Sequence, residues 1–278
     1  MTVNNIMCNK PFLKWAGGKR KLIPFIVSLC GDTRNKRLIE PFMGGGSVFA
    51  GTHFKSYILN DINPDLITLY KSLKDNEKQF LDELSTLFIK EYNNKESFNM
   101  LRDIYNSIPE GDSKRSALFV YLNKHCFNGM YRVNSKGRYN IPFANYKKGT
   151  MPQQEIMDFG NKLRNSQVEL YSMNFEDIMN MAQKGDIIYC DPPYTPISNT
   201  SSFTSYAKED FGIEQHKTLV HKAIELKKLG VKTLISNNQT PETLELYKDA
   251  NIVSIDVRRM IAANGNRDKV KEIIAIYD

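Results

Sequence analysis

Short runs of consecutive apolar residues recur along the chain and predict the strands of a buried sheet. Most runs are rich in β-branched residues at neighbouring positions, as expected for strands that are covered on both faces. The predicted strands are Leu38-Ile39, Ser56 to Leu59, Val168 to Tyr171, Asp186 to Tyr189, Lys232 to Ile235, Ile252 to Val257 and Glu272 to Tyr277. Helix-like segments lie between them, and this alternation predicts an α/β sheet.

Two of the intervening helices carry end signals. The segment from Ile213 to Leu229 is followed by Gly230, which is the predicted C-cap. The segment from Pro241 to Ala250 follows Thr240, so the threonine is the predicted N-cap and the proline the first helical residue.

The alternation stops in the middle of the chain. Residues 71–106 are polar with a helical stripe of Phe80, Leu84, Leu87 and Phe88, and Arg115 to His125 is a second predicted helix. A loop rich in Asn, Gly, Arg, Lys and Tyr follows from Phe127 to Lys148. We therefore predict a core domain over residues 1–70 and 164–278, with a helical insertion over residues 71–163.

Composition adds little that is specific. The chain has 278 residues, of which 41% are hydrophobic and 25% charged, as in ordinary globular proteins. The net charge of +7 suits a polyanionic partner, but many basic proteins bind no nucleic acid. No apolar run approaches the roughly 20 residues of a membrane span, and no secretion signal is visible.

The cysteines are Cys8, Cys30, Cys126 and Cys190, and no pair has C-x-x-C spacing. The sequence therefore predicts no zinc or other metal site, and reduced thiols in a cytoplasmic protein.

A glycine-rich turn follows the first predicted strand and reads Glu40-Pro41-Phe42-Met43-Gly44-Gly45-Gly46-Ser47. Successive glycines let the backbone turn sharply and approach a ligand closely. Phe49 replaces the third glycine of the dinucleotide fingerprint, and the lysine of a P-loop is missing. The turn favours a nucleoside-type cofactor without phosphate; the alternative is a plain strand-to-helix turn.

An acidic residue, Asp61, ends the next strand within Asn60-Asp61-Ile62-Asn63. A carboxylate at this point accepts hydrogen bonds from ribose hydroxyls in nucleotide-binding folds. The alternative is that Asp61 caps the helix beginning near Pro64.

The tetrad Asp191-Pro192-Pro193-Tyr194 follows a buried strand at its carboxyl end, where open α/β sheets bind ligands. The prolines fix the backbone and lack N–H donors, so carbonyl acceptors stand beside a carboxylate and an aromatic ring. These groups suit a planar exocyclic amine such as adenine N6; the alternative is a rigid turn.

A further motif lies near the N-terminus and reads Phe12-Leu13-Lys14-Trp15-Ala16-Gly17-Gly18-Lys19. It suggests that the tryptophan covers a cofactor and that the lysine binds the carboxylate of that cofactor. The alternative is that the tryptophan anchors the core and the basic residues are solvated.

Together these motifs closely resemble the Dam family of DNA adenine-N6 methyltransferases, in the order of the α-group. The likeness covers nearly the whole chain, including Ser236-Asn237 and Asn264-Gly265. It implies an α/β, Rossmann-like S-adenosylmethionine-dependent methyltransferase fold with an inserted helical target-recognition domain and a sheet that usually ends in a reversed strand.

The resemblance also implies roles for single residues. Those expected to contact S-adenosylmethionine are Trp15, Lys19, Phe42, Asp61 and Asp191. Asp191 and the Pro192 carbonyl are expected to hold adenine N6, with Tyr194 stacked on the base, and no metal is required.

The expected DNA contacts are Lys14, Phe127, Asn128, Met130, Arg132, Pro142 and Tyr146. Arg132 is expected to read a guanine, because a guanidinium matches O6 and N7, and Lys14 the other guanine; a phosphate contact is the alternative for Arg132. Phe127 and Asn128 are the expected wedge into the duplex, although Phe127 lacks the hydroxyl of the tyrosine in many relatives. Met130 would meet a thymine methyl, and residues 146–148 the DNA backbone.

The resulting hypothesis is a methyltransferase that flips an adenine out of double-stranded DNA, with GATC as the expected site and no obligate protein partner. An RNA amino-methyltransferase, a nucleotide-dependent oxidoreductase and a non-catalytic DNA-binding protein remain as alternatives. The tetrad argues against the last, and the incomplete glycine fingerprint against the oxidoreductase.

Overall fold

A computed structural model describes residues 10–146, 149–194, 211–258 and 269–278 of the chain. Its centre is a seven-stranded sheet, and all seven predicted strands are confirmed. They are β1 (Arg37–Glu40), β2 (Ser56–Asn60), β3 (Gln167–Tyr171), β4 (Ile187–Cys190), β5 (Lys232–Asn238), β6 (Asn251–Arg258) and β7 (Lys269–Tyr277).

The strands lie in the order β3-β2-β1-β4-β5-β7-β6. The pairs from β3 to β5 are parallel, whereas β7 runs antiparallel to both β5 and β6. The last strand of the chain is thus the reversed one, and it lies one place in from the edge. This topology confirms the Rossmann-like methyltransferase fold.

The sheet is covered on both faces, which explains the unbroken apolar runs. Leu38 and Ile187 belong to the core on one face, while their neighbours Ile39 and Ile188 belong to the core on the other. Successive side chains of a strand point to opposite faces, so a strand buried on both faces needs apolar residues at every position.

Helices fill both layers. They are α1 (Ile23–Cys30), α2 (Ser47–Gly51), α3 (Pro64–Asp75), α4 (Glu77–Leu87), α5 (Lys95–Ser107), α6 (Arg115–His125), α7 (Gln153–Asn165), α8 (Phe175–Asn180), α9 (Ile213–Lys228) and α10 (Pro241–Leu246). Thr240 caps α10 as predicted, by accepting a hydrogen bond from the N–H of Thr243. The predicted end of that helix at Ala250 is wrong, because α10 stops at Leu246.

The insertion is helical, but it shares a core with one face of the sheet. A single apolar cluster joins strand residues such as Leu38 to Leu122 of α6 and Phe159 of α7. Helices α3 and α7 also run across the residues at which we placed the domain limits. The division at 71 and 163 therefore stays a prediction.

Candidate active site

The glycine-rich turn and the tetrad come together because their strands are neighbours. The turn follows β1 and the tetrad follows β4, and these two parallel strands pair directly at the centre of the sheet. The chain leaves β1 toward β2 on one side and reaches β5 from β4 on the other, so a crevice opens at their carboxyl ends. Such a switch point is where open α/β sheets bind ligands.

Trp15 lies directly on the glycine-rich turn. Gly44 has a positive φ of 49°, and a Cβ built on it would stand 2.7 Å from the indole Nε1. The close approach that the glycine permits is therefore to this ring. Trp15 is half-buried and stacks on Tyr131 and Phe119 of the insertion, at centroid distances of 5.8 and 6.4 Å. One side chain thus joins the turn to the insertion.

Asp61 is hydrogen-bonded to the same glycine-rich turn. Its Oδ2 accepts a 2.9 Å hydrogen bond from the Gly44 N–H, and its Oδ1 accepts one of 3.0 Å from the Asn63 N–H. Asn63, not Asp61, caps α3, since its side chain accepts the N–H of Asp65. Burial raises the pKa of Asp61 to about 6. Each oxygen keeps a second lone pair that a hydroxyl could use.

Lys19 and the tetrad form one polar cluster, in which Lys19 is buried and Asp191 and Tyr194 are half-buried. The Lys19 Nζ lies 2.9 Å from Asp191 Oδ1 and 4.8 Å from the centroid of the Tyr194 ring. The Tyr194 hydroxyl donates a 3.1 Å hydrogen bond to Oε2 of Glu272 on β7. The N-terminal motif, the tetrad and the last strand therefore meet at this point.

Burial raises the pKa values of three carboxyl groups here, those of Asp191, Glu40 and Glu272. Burial raises the pKa of Asp191, and the Lys19 ammonium opposes that shift. Burial raises the pKa of Glu40 to about 8. The positive charge of Lys162 lowers this pKa, and the negative charge of Asp191 raises it. Glu40 accepts a hydrogen bond from the Phe49 N–H, while its Oε1 has no partner in the described part of the molecule.

Phe42, expected in the cofactor pocket, is half-buried at the start of the turn. It packs against Phe175 and Phe211 at centroid distances of 5.5 and 5.4 Å. It therefore forms part of an aromatic wall on the α8 and α9 side of the crevice.

The expected DNA contacts gather around the loop that follows α6. The buried Asn123 side chain accepts a 2.9 Å hydrogen bond from the backbone N–H of Lys14 and donates one of 2.8 Å to the Lys14 carbonyl. It also donates a 3.0 Å hydrogen bond to the Gly129 carbonyl. A Cβ on Gly129, whose φ is 64°, would collide with the Lys14 side chain. The exposed Lys14 ammonium lies 4.3 Å from the Tyr146 ring centroid. The Trp15 motif is thereby bound to the predicted DNA-reading loop.

Phe127 and Asn128 project from this loop. Phe127 is 54% exposed although it is large and apolar. Its N–H donates a 2.9 Å hydrogen bond to the carbonyl of the exposed Pro142. Asn128 adopts a φ of 55°, a left-handed conformation that asparagine tolerates.

Arg132 is half-buried, and its Nε donates a 3.0 Å hydrogen bond to Asn140 Oδ1. Asn140 in turn donates its N–H to the Arg132 carbonyl at 3.2 Å. Met130 is half-buried and packs on the core, and its carbonyl accepts the Tyr139 hydroxyl at 3.2 Å.

Two residues of the site escaped the sequence analysis. Glu272 begins the apolar part of β7, and it lies at the active-site edge because β7 is reversed and pairs Glu272 with Asn238. His216 contacts the tetrad from α9, with its Nε2 3.1 Å from the Pro193 carbonyl. Neither has a recognisable motif; an acidic residue beside a buried apolar run was the only available signal for Glu272.

Other predictions have no counterpart in the described residues. Asn264-Gly265, Lys147, Lys148 and Cys8 lie outside them. Within the described ranges, no group of three or more His, Cys, Asp or Glu side chains could hold a metal ion. Among the described helices, none combines the length and the apolar character that crossing a membrane requires.

Comparison with known proteins agrees with this geometry. A model of the D12 class N6 adenine-specific DNA methyltransferases matches residues 15–261. A DNA adenine methylase of Serratia marcescens is 42% identical over 273 residues, which cover 97% of this chain and 98% of that protein. The DNA adenine methylase of Escherichia coli (strain K12) is 39% identical over 270 residues, covering 97% and 95%. The resemblance to the Dam family is confirmed, and the chain belongs to the D12 class of adenine-specific DNA methyltransferases.

Proposed function

We propose that the chain transfers the methyl group of S-adenosylmethionine to N6 of an adenine flipped out of duplex DNA, within GATC. The observation that carries this proposal is the cluster of Lys19, Asp191 and Tyr194 at the β1–β4 switch point, beside a loop with exposed Phe127. Methyl transfer to N6 requires the base to leave the stack, and a crevice beside the predicted DNA-reading loop suits that.

The donor set of the crevice fits the proposed cofactor. Lys19 supplies a cation for its carboxylate, Asp61 offers lone pairs to the ribose hydroxyls, and Phe42 offers an apolar surface to its base. When bound, S-adenosylmethionine supplies a methyl group that is already activated by a positive sulfur. The protein then contributes orientation and hydrogen bonding.

Toward adenine, Asp191 and the Pro192 carbonyl accept the two N6 hydrogens. In the described part of the chain the Pro192 carbonyl accepts no hydrogen bond, which leaves it for the substrate. Lys19 lies against the Tyr194 ring, and we assign the opposite face to the flipped base. Phe127 fills the space that the base leaves, and Arg132 reads a guanine with the terminal nitrogens that Asn140 leaves free.

The proposal is tested by expressing the chain in a host that lacks adenine methylation and digesting its DNA with enzymes that do or do not cut methylated GATC. We expect protection of GATC by the wild type and by Asp177→Ala, an exposed control, and none by Asp191→Ala. Unprotected DNA from folded wild-type protein would refute GATC as the site. Purified protein that methylated RNA in preference to duplex DNA would instead favour the RNA alternative.

A further inference from the structure

A chain of buried hydrogen bonds ends on the tetrad. His216 of α9 is fully buried, and its Nε2 lies 3.1 Å from the carbonyl oxygen of Pro193. A carbonyl oxygen can only accept, so Nε2 must carry a hydrogen, and in a neutral ring Nδ1 is then the acceptor. The tautomer of this histidine is thus set by the tetrad.

The other side of the ring meets matching partners. The Tyr247 hydroxyl lies 3.5 Å from His216 Nδ1, and the same hydroxyl accepts a 3.0 Å hydrogen bond from Asn237 Nδ2. Because Asn237 donates to the hydroxyl oxygen, the hydroxyl hydrogen is free to point at Nδ1. Burial lowers the pKa of His216 to about 4, which keeps the ring neutral at physiological pH.

The chain therefore has one direction, from Asn237 at the end of β5 through Tyr247 and His216 to the Pro193 carbonyl. Asn237, Tyr247 and His216 are each 0% exposed, so water does not compete for these bonds. A network of this kind holds its members in one arrangement, because a broken bond would leave a buried polar group without a partner.

We propose that His216 is a positioning residue for methyl transfer, because its bond to the Pro193 carbonyl fixes the peptide plane that leads into Tyr194. Proline already restricts φ at Pro193, and His216 restricts the remaining rotation. The bond also distinguishes the two proline carbonyls, since that of Pro193 is occupied and that of Pro192 stays available for adenine. This inference rests on the roles of Pro192 and Tyr194 in the proposed function.

The test compares His216→Leu, which cannot donate, with His216→Gln, whose amide N–H can reach the same carbonyl. His221→Leu is the matched control, because it alters an exposed histidine of the same helix. We expect His216→Leu to lower kcat on a GATC duplex by about 10-fold to 100-fold, the scale of a small misplacement of reacting groups, with less than about a twofold change in the Kd for S-adenosylmethionine. His216→Gln should recover most of the loss.

Urea unfolding separates positioning from stability. If His216→Leu does not fold, Tyr247→Phe takes its place, because it keeps the ring of Tyr247 and removes the hydroxyl that contacts both His216 and Asn237. We expect it to lower kcat several-fold at unchanged KM for DNA. Wild-type kcat in whichever of these variants folds, or a His216→Gln as impaired as His216→Leu, would overturn the inference. A folded wild-type protein that left the GATC duplex unmethylated would refute the proposed function itself, whereas an active wild type beside an equally active His216→Leu would refute only the role of His216.

Discussion

The Lys19 ammonium lies 2.9 Å from the Asp191 carboxylate, so the N-terminal tryptophan motif supplies the counter-ion of the tetrad. Lys19 is only 4% exposed, and it also donates to the Gly17 carbonyl at 2.8 Å. A residue expected to meet the cofactor carboxylate thus also neutralises the residue expected to hold adenine. The proposed cofactor and substrate sites therefore share one ion pair.

This pairing predicts a pH effect in Lys19→Gln. Burial raises the pKa of Asp191 and Lys19 lowers it, so the variant should have a still higher pKa at Asp191. The acidic limb of the kcat/KM profile should then move to higher pH, with a loss of activity at neutral pH. Methylation of a GATC duplex measured across pH would show it, and Lys21→Gln, an exposed neighbour, is the control. An unmoved acidic limb would contradict the coupling.

A second ion pair should determine the stability of the insertion. Asp65 of α3 is buried and receives the Arg115 guanidinium at 2.9 Å, the Tyr105 hydroxyl at 2.6 Å and the Gly111 N–H at 2.8 Å. Arg115→Met leaves the carboxylate buried without its cation, which should lower the free energy of unfolding by about 3–5 kcal/mol in urea. Lys114→Met, at an exposed position, should have little effect. Equal stability of the two variants would show that Asp65 does not need the arginine.

The buried Glu40 predicts a dependence of stability on pH. Its pKa is about 8 in the folded protein, above the ordinary value of 4.5, so the folded state binds a proton that the unfolded state has lost between these pH values. The free energy of unfolding should fall as pH rises through this interval, by up to about 1.4 kcal/mol per pH unit. Glu40→Gln should flatten the slope in urea titrations from pH 5 to pH 8. The exposed Glu96→Gln should keep the wild-type slope, and a Glu40→Gln protein with that slope would disprove the assignment.

Arg132 and Asn140 predict a change in specificity. Asn140 holds the Arg132 guanidinium through its Nε. Arg132→Met should therefore abolish the recognition of one guanine, and Asn140→Leu should weaken it. We expect Arg132→Met to lose about 1–3 kcal/mol of discrimination at a single base pair, measured as kcat/KM on GATC against singly substituted duplexes. Arg138→Met, exposed in the same loop, should weaken binding to all duplexes alike. A uniform loss with Arg132→Met would identify a phosphate contact instead.

The sequence alone determined the strands, several helices and the motifs that meet at the candidate site. Apolar runs at consecutive positions are a local property, and a sheet covered on both faces demands them at Ile39 and Ile188 as at Leu38 and Ile187. The tetrad and the glycine-rich turn were recognisable for a similar reason, because backbone geometry and acceptor chemistry depend on adjacent residues.

Tertiary structure alone decided which of these residues meet. The pairing of β1 with β4 brings the turn to the tetrad, and the reversal of β7 brings Glu272 to Tyr194. His216 and His221 are the same residue type on one helix, yet only the first is buried and bonded to the tetrad. Local patterns carry the preferences of neighbouring residues, whereas contacts between distant residues depend on strand order and direction, which no local pattern of this chain records.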